Sequence, residues 1–146
     1  MNWCRTAIFL ALSLMLSACG GGSSNSNAIN GNWAATLTNA DGTTAFAFTT
    51  SLSNSNGTLN ITNFDLTISA PCFGTPGSES GTFQLTGTTN GVNTGTFSLT
   101  IQSGTPSGNT LTLQGQLSGN TTTGTWTLSG PACTGSGNFT MTTTTM

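Results

Sequence analysis

Almost the whole chain after residue 28 consists of short runs in which apolar and polar residues alternate, each ended by a turn-forming segment. A period of two gives a β-strand one apolar and one polar face, whereas no run in this region keeps the 3.6-residue period of an amphipathic helix. The dipeptides Asn56-Gly57, Asn90-Gly91 and Gly119-Asn120 favour tight hairpin turns between the runs. The pattern predicts an all-β domain of eight antiparallel strands.

The third run changes parity along its length. Leu59 and Ile61 alternate on one face, but Phe64 and the apolar residues after it continue on the other parity. One extra residue in a strand restores the alternation to the same face of the sheet. We therefore expect a bulge or bend at Thr62-Asn63.

The strands form two related halves. Each half has a Gly-x-aromatic strand near its start, a cysteine loop after its third strand, and a Gly-x-Phe strand after that loop. The matching segments are 31–33 (GNW) with 95–97 (GTF), 68–72 (ISAPC) with 128–133 (LSGPAC), and 81–83 (GTF) with 137–139 (GNF). Two four-stranded halves of this kind place both cysteine loops at one end of the domain.

The low charge of the chain bears on how the strands close. Charged residues make up 3% of the sequence, whereas about 25% is usual. Open sheets are commonly protected from edge-to-edge aggregation by charged side chains, and closure into a barrel removes the edges. We therefore predict an eight-stranded up-and-down barrel built from two four-stranded repeats, with a two-sheet β-sandwich as the alternative.

The N-terminal segment has the features of an export signal. Arg5 precedes an apolar run at 7–16, which is too short to span a bilayer as a helix. Residues 16–19 (LSAC) resemble the lipobox of bacterial lipoproteins. That resemblance implies a signal peptide at 1–18, cleavage before Cys19, a diacylglyceryl thioether on its sulfur, and a further acyl chain such as palmitate on the new amine.

The rest of the chain divides into a tether and a folded domain. The resemblance implies outer-membrane sorting, because Gly20 stands where an Asp would favour retention in the inner membrane. Gly, Ser and Asn dominate the stretch after the lipidated cysteine, a composition typical of a flexible linker. We assign 19–28 to the lipidated cysteine and linker, and 29–146 to the β-barrel domain.

The four cysteines have separate predicted roles. Cys4 leaves with the signal peptide, and Cys19 carries lipid. Cys72 and Cys133 remain as an even pair in an oxidising compartment, so we expect a structural disulfide. Two thiols without histidine cannot complete a zinc site, and the CxxC spacing of redox-active pairs is absent.

Two short motifs resemble the calycin group, which includes lipocalins and avidins. They are Gly31-Asn32-Trp33, at the start of the first strand, and Gly124-Thr125-Trp126. The chain departs from that group because its mature part has neither an Arg to cover the tryptophan nor a Tyr for an avidin-like pocket. Along its whole length the sequence also resembles small Gly/Thr-rich lipoproteins of environmental bacteria.

The side chains available for chemistry are few. After cleavage the chain contains no Lys, Arg, His or Tyr, and its acids are Asp41, Asp65 and Glu79. Nucleic-acid binding requires cations that are missing here, and nucleophile–base pairs cannot be assembled from the usual residues. A carboxylate pair such as Asp65 with Glu79, in the cysteine loop, would be needed for glycoside hydrolysis. Asp41 is interpreted as a turn residue rather than a calcium ligand. We expect no enzyme activity, cofactor or metal.

Five aromatic residues are predicted on the inner face, where they either fill the core or line a ligand pocket: Trp33, Phe46, Phe48, Phe97 and Trp126. We expect a lipid-anchored, non-catalytic module of the cell envelope, facing the periplasm or the surface. Its expected role is structural or interactive, through contacts of its polar exterior with an envelope glycan or protein. The alternative is a carrier that holds a small apolar ligand inside a calycin-like barrel.

Overall fold

A computed structural model describes residues 27–68, 73–105 and 107–145, and these form one closed antiparallel barrel. The strands are β1 (Gly31–Asn39), β2 (Thr44–Ser55), β3 (Thr58–Ile68), β4 (Pro76–Thr89), β5 (Val92–Ser103), β6 (Thr110–Ser118), β7 (Thr121–Ser129) and β8 (Gly135–Thr143). Each strand pairs with the next, and β8 pairs with β1. The predicted all-β, eight-stranded up-and-down barrel is confirmed, and the alternative sandwich is not formed.

Tight turns connect three of the hairpins at the predicted dipeptides. Asn56 and Gly57 have φ angles of 51° and 88°, and Asn90 and Gly91 have 51° and 78°. Positive φ at both central residues is the requirement of a type I′ turn, which explains the Asn-Gly sequences. In the third turn Gly119 has a φ of 61° while the residue after it does not have a positive φ. That pattern is typical of a type II′ turn.

The predicted irregularity in the third strand is present. Asn63 has a φ of 53°, and the β2–β3 register passes from Asp65 opposite Thr49 to Thr62 opposite Ser51. The extra residue resets the parity of β3. Leu59 and Ile61 before the bulge therefore share a face with Phe64 and Leu66 after it. A second register shift places Ile68 opposite Ala47, on the outer face.

The apolar face of every strand contributes to a single core. Its buried hydrophobic residues are Ile29, Trp33, Ala35, Leu37, Phe46, Phe48, Leu52, Leu59, Phe73, Phe83, Phe97, Leu99, Ile101, Leu111, Leu113, Leu117, Trp126, Leu128, Phe139 and Met141. The positions between them on the strands are mostly Thr, Ser, Asn and Gln, which face the outside. The core therefore lies within the barrel.

The barrel has two distinct ends. In an up-and-down meander the β1–β2, β3–β4, β5–β6 and β7–β8 connections share one end. We call this the cysteine end, because Cys133 lies in the β7–β8 connection and position 72 falls between β3 and β4. The opposite end, which we call the turn end, carries the three tight turns and Ile29.

The two halves correspond as the repeat predicts, but they differ in one place. The aromatic motifs fall on β1 and β5, and the Gly-x-Phe motifs fall on β4 and β8. In the second half, β7 pairs with β8 from Thr121 to Leu128. In the first half, β3 pairs with β4 only at Thr58 and Leu59. We call the diverging stretch the β3–β4 seam, bordered by residues 60–68 of β3 and 76–80 of β4.

The predicted signal peptide (1–18), Cys19 and the linker as far as residue 26 lie outside the described residues. The last two linker residues form a turn, in which the Asn30 N–H donates to the Asn27 carbonyl oxygen at 2.9 Å. Ala28 is partly buried against the core. The last residue of the predicted linker therefore packs against the barrel. Within the described residues no helix has the length and apolarity needed to cross a membrane.

Candidate functional site

All five residues predicted to line a ligand pocket lie on the inner face of the barrel. Trp33, Phe46, Phe48, Phe97 and Trp126 are each at most 3% exposed and belong to the common core. Their inward placement agrees with the alternating sequence. Whether they bind a ligand depends on the space left between them.

Aromatic rings occupy the space that the inward glycines leave. A Cβ added to Gly95 would lie 2.5 Å from ring carbons of Phe83. A Cβ on Gly115 would lie 2.8 Å from Cζ of Phe139. In both cases the ring of a residue on another strand fills the volume above a glycine. These small residues accommodate the protein's own rings rather than an open cavity.

The aromatic side chains also pack against one another. Phe46 makes edge-on contacts with Trp126 and Phe73, at centroid distances of 5.6 and 5.7 Å. Phe48 stacks on Phe64 at 4.6 Å. Edge-to-face and offset-stacked pairs at these distances are favourable arrangements. Phe97 also lies 6.1 Å from Phe139, so four of the five predicted pocket residues have an aromatic partner among the described residues.

A buried apolar residue covers each end of the barrel. At the turn end, the Trp33 Nε1–H donates to the Ile29 carbonyl oxygen at 2.8 Å, and Ile29 is fully buried. At the cysteine end, Phe73 is fully buried against Phe46. The Gly-x-Trp motif therefore fixes the segment that covers the turn end without an arginine.

Hydrogen bonds join the connections at the cysteine end. The Gly74 N–H donates to the Thr105 carbonyl oxygen at 3.1 Å, which links the β3–β4 and β5–β6 connections. Asn109 is fully buried, and its Oδ1 accepts from the Ala132 N–H at 3.3 Å. That bond links the β5–β6 and β7–β8 connections. The loops form a connected cover over this end.

Cys133 is disulfide-bonded and partly buried against the core. Its predicted partner, Cys72, lies outside the described residues, so the pairing stays a prediction. The position after Cys72 is Phe73, which contacts Phe46, and Phe46 lines the same surface depression as Cys133. The chain next to Cys72 therefore lies close to Cys133, as the pairing requires.

Asp41 lies in the β1–β2 turn and makes a local hydrogen-bonded structure. Its Oδ1 accepts from the Thr43 hydroxyl at 2.6 Å and from the Thr43 N–H at 2.9 Å. These two bonds, the hydroxyl first, lower the pKa of Asp41 from its ordinary value. The described residues contain no group of three His, Cys, Asp or Glu side chains that could hold a metal ion. The geometry is that of an Asx turn.

The other two acids lie on the strands that border the β3–β4 seam. Asp65 is exposed on β3, opposite Thr49, as its polar parity predicts. The sequence placement of Glu79 in the cysteine loop is wrong, because it lies in β4 opposite Ile101. Ile101 is fully buried, so Glu79 has the inward parity of its strand, yet it is exposed. The wall of the barrel is not covered by β3 at this level.

Sequence reasoning did not identify the seam as a site. Ile61, Phe64 and Leu66 on the inner face of β3 are only partly buried. A depression of about 350 Å³ opens where β3 and β4 diverge, lined by Phe64, Asp65, Leu66, Gly74, Thr75 and Pro76. One sequence feature could have indicated the seam: the connection between the third and fourth strands is longer in the first half than in the second.

A second depression lies on the outside of the barrel. It is an open groove of about 690 Å³, and it is bordered by the β2–β3 turn and by strands β4 to β6. Gln84, Gln114, Thr82 and Thr96 contribute amides and hydroxyls to it. No ionisable side chain lines this groove. It offers hydrogen bonds to a neutral polar partner.

Comparisons of the chain with protein-family models, with curated proteins and with solved structures give no match.

Proposed function

We propose that this protein is a lipid-anchored, non-catalytic module of the bacterial cell envelope whose barrel acts through contacts on its outside. The observation that carries the proposal is the filled interior. Rings cover the inward glycines, and Ile29 and Phe73 are buried at the two ends. Because rings pack over these glycines and both ends are covered, contacts on the outer surface and at unpaired strand edges are the better supported mode of binding.

Support for the anchor comes from the resemblance of 16–19 (LSAC) to a lipobox. One acyl chain binds a membrane only marginally, whereas two or more give stable attachment. The Gly/Ser/Asn-rich tether after Cys19 would let the domain stand away from the bilayer. Gly20 favours the outer membrane, with the barrel facing either the periplasm or the surface.

Support for a non-catalytic role comes from side-chain chemistry. The one basic residue of the chain is Arg5, within the predicted signal peptide, and the chain has no His or Tyr. General acid–base and nucleophilic catalysis usually rely on those groups. Asp41, Asp65 and Glu79 lie on three different elements at the surface.

The carrier alternative has weaker support. A guest molecule inside the barrel would have to displace the rings that now cover Gly95 and Gly115. Such a displacement sacrifices well-packed aromatic contacts. Titration with fatty acids and small aromatic compounds, followed by tryptophan fluorescence, is therefore expected to give no saturable shift. A saturable shift would favour the carrier instead.

The anchor is tested by feeding labelled palmitate to the native host. We expect the wild-type protein to incorporate label and to sediment with membranes, and Cys19→Ser to do neither. Cys4→Ser is the matched control, because Cys4 lies in the segment that is removed. Undiminished labelling and sedimentation of Cys19→Ser would overturn the proposal.

A further inference from the structure

We propose that the β3–β4 seam binds an extended, basic segment of a partner protein, which adds to the barrel as a further strand along β3. This inference rests on the proposed interaction role and specifies the site and the chemistry of the partner. It is carried by three separate features: unpaired strand edges, an uncovered apolar face and the distribution of charge.

The strand edges at the seam lack partners for most of their length in the part of the chain described. β3 pairs with β2 from Thr58 to Ile68 but with β4 only at its first two residues. β4 pairs with β5 from Pro76 onward, so the 76–80 stretch also has a strand on one side only. An open edge presents N–H and C=O groups to which an extended segment can hydrogen-bond.

The internal repeat shows what is missing at the seam. Ile68 corresponds to Leu128 of the second half, since each begins its cysteine-loop motif. Leu128 pairs with Gly135 of β8 and is 4% exposed, whereas Ile68 follows a second register shift, lies opposite the outward-facing Ala47 and is 49% exposed. The inward positions two residues earlier show the effect of the seam: Trp126 is 2% exposed, but its counterpart Leu66, opposite the buried Phe48, is only partly buried. Among the described residues, no strand pairs with 60–68 of β3 in the way that β8 pairs with β7.

Charge indicates the character of the strand that would fill this position. The described residues include three acidic side chains and no Lys, Arg or His. All three acids lie toward the cysteine end, and Asp65 and Glu79 border the seam itself. A basic segment with alternating apolar residues would complement both the carboxylates and the uncovered apolar face.

A second copy of this chain is disfavoured as the occupant. Pairing of two β3 edges would bring the Asp65 side chains of both copies to the same interface. The described residues of each copy include no Lys, Arg or His side chain to balance this charge. Like charges at an interface without counter-charges oppose association. The seam therefore favours a basic partner over self-association.

The experiment uses the full-length chain in detergent and a fluorescent peptide of alternating valine and lysine. We expect the peptide to bind and to protect the amides of 60–68 from hydrogen–deuterium exchange. Ile68→Thr should weaken binding at least about fivefold, because Ile68 is an exposed apolar side chain at the end of β3, where it would contact the added strand. Asp65→Asn with Glu79→Gln should weaken it about tenfold at low salt. Val92→Thr is the matched control, because Val92 is also exposed, at 39%, but lies at the turn end.

Two control peptides and a measurement of self-association complete the test. A peptide of alternating valine and glutamate, and a lysine peptide with N-methylated amides, should both fail to bind. Equal binding of either one, equal effects of Ile68→Thr and Val92→Thr, or no binding at all would overturn the inference. Self-association that protects 60–68 without peptide would identify a second copy as the occupant and would also overturn it.

The outcome is separable from that of the proposed function. Peptide binding in detergent does not require the lipid on Cys19, so Cys19→Ser is expected to bind as wild type does. Failure of palmitate labelling would remove the anchor and leave the seam result intact. Failure of peptide binding would remove the basic partner and leave the anchored module intact.

Discussion

Trp126 and Gly137 are register partners on β7 and β8, and the indole ring covers the glycine. The Trp126 Nε1–H donates to the Thr38 carbonyl oxygen on β1 at 2.9 Å, so the ring reaches across β8 to the next strand. A Cβ on Gly137 would lie 2.8 Å from Nε1 and 1.8 Å from that same oxygen. The absence of a side chain at Gly137 is thus a condition of the β7–β8–β1 packing.

Gly137→Ala is therefore expected to destabilise the barrel by about 3 kcal/mol, because backbone and ring must both move to admit a methyl group. Urea denaturation followed by tryptophan fluorescence measures the loss. Ser136→Ala, at the neighbouring exposed position, is the control and should stay within about 0.5 kcal/mol of wild type. A stable Gly137→Ala protein would show that the strand spacing is softer than these contacts indicate.

Thr122 offers a stabilising substitution. It is fully buried on the inner face of β7, and its hydroxyl has no hydrogen-bond partner among the described residues. Thr122→Val keeps the β-branched shape and replaces the unpaired hydroxyl with a methyl group, so we expect a gain of about 1 kcal/mol. Thr123→Val, on the exposed face, should change the free energy of unfolding by less than about 0.5 kcal/mol. A destabilised Thr122→Val protein would indicate that the hydroxyl has a partner.

The strands, their parity and their turns could be predicted because they depend on local sequence. The Asn-Gly dipeptides determine backbone conformation within two residues, and the change of parity between Ile61 and Phe64 required a bulge wherever the strand paired. Glu79 was misplaced because the Gly/Ser-rich stretch around it shows no alternation. Its strand conformation comes from pairing with the strongly alternating β5, opposite Ile101.

The seam and the filling of the interior could not be predicted because they depend on non-local contacts. Ile68 and Leu128 occupy equivalent positions in the repeat, and nothing local distinguishes them. Their exposure differs because a second register shift between β2 and β3 places Ile68 opposite the outward-facing Ala47, whereas Leu128 lies opposite the buried Leu111. The divergence of β4 from β3 likewise depends on the pairing of whole strands. Similarly, the sequence indicates only that Gly95 has no side chain on the inner face of β5. The packing of the Phe83 ring from the adjacent strand shows that the resulting space is filled.

The disulfide prediction is tested by removing either cysteine. Closing a loop of about 60 residues stabilises a protein by roughly 4 kcal/mol in the chain-entropy model, so Cys133→Ser and Cys72→Ser should each lose about that much. Because one bond is involved, the double variant should lose no more than either single variant. Peptide mapping without reductant should recover the fragments that contain the two cysteines as one linked species. A disulfide on Cys133 that persists in Cys72→Ser would contradict the pairing.

Asp41 and Thr43 provide a test of local electrostatics. The Thr43 hydroxyl and, to a smaller extent, the Thr43 N–H lower the pKa of Asp41 below its ordinary value of 3.8. Thr43→Ala removes the hydroxyl and keeps the N–H, so the pKa should rise toward that value without reaching it. Thr44→Ala is the control, and carboxyl NMR titration is the measurement.

The lowered pKa of Asp41 also makes stability depend on pH, because a lowered pKa stabilises the folded state at pH values above the pKa of the unfolded chain. This contribution disappears as the pH falls from about 3.8 through the lowered pKa, and in Thr43→Ala the loss should be smaller. An unchanged Asp41 pKa in Thr43→Ala would assign the shift to another group.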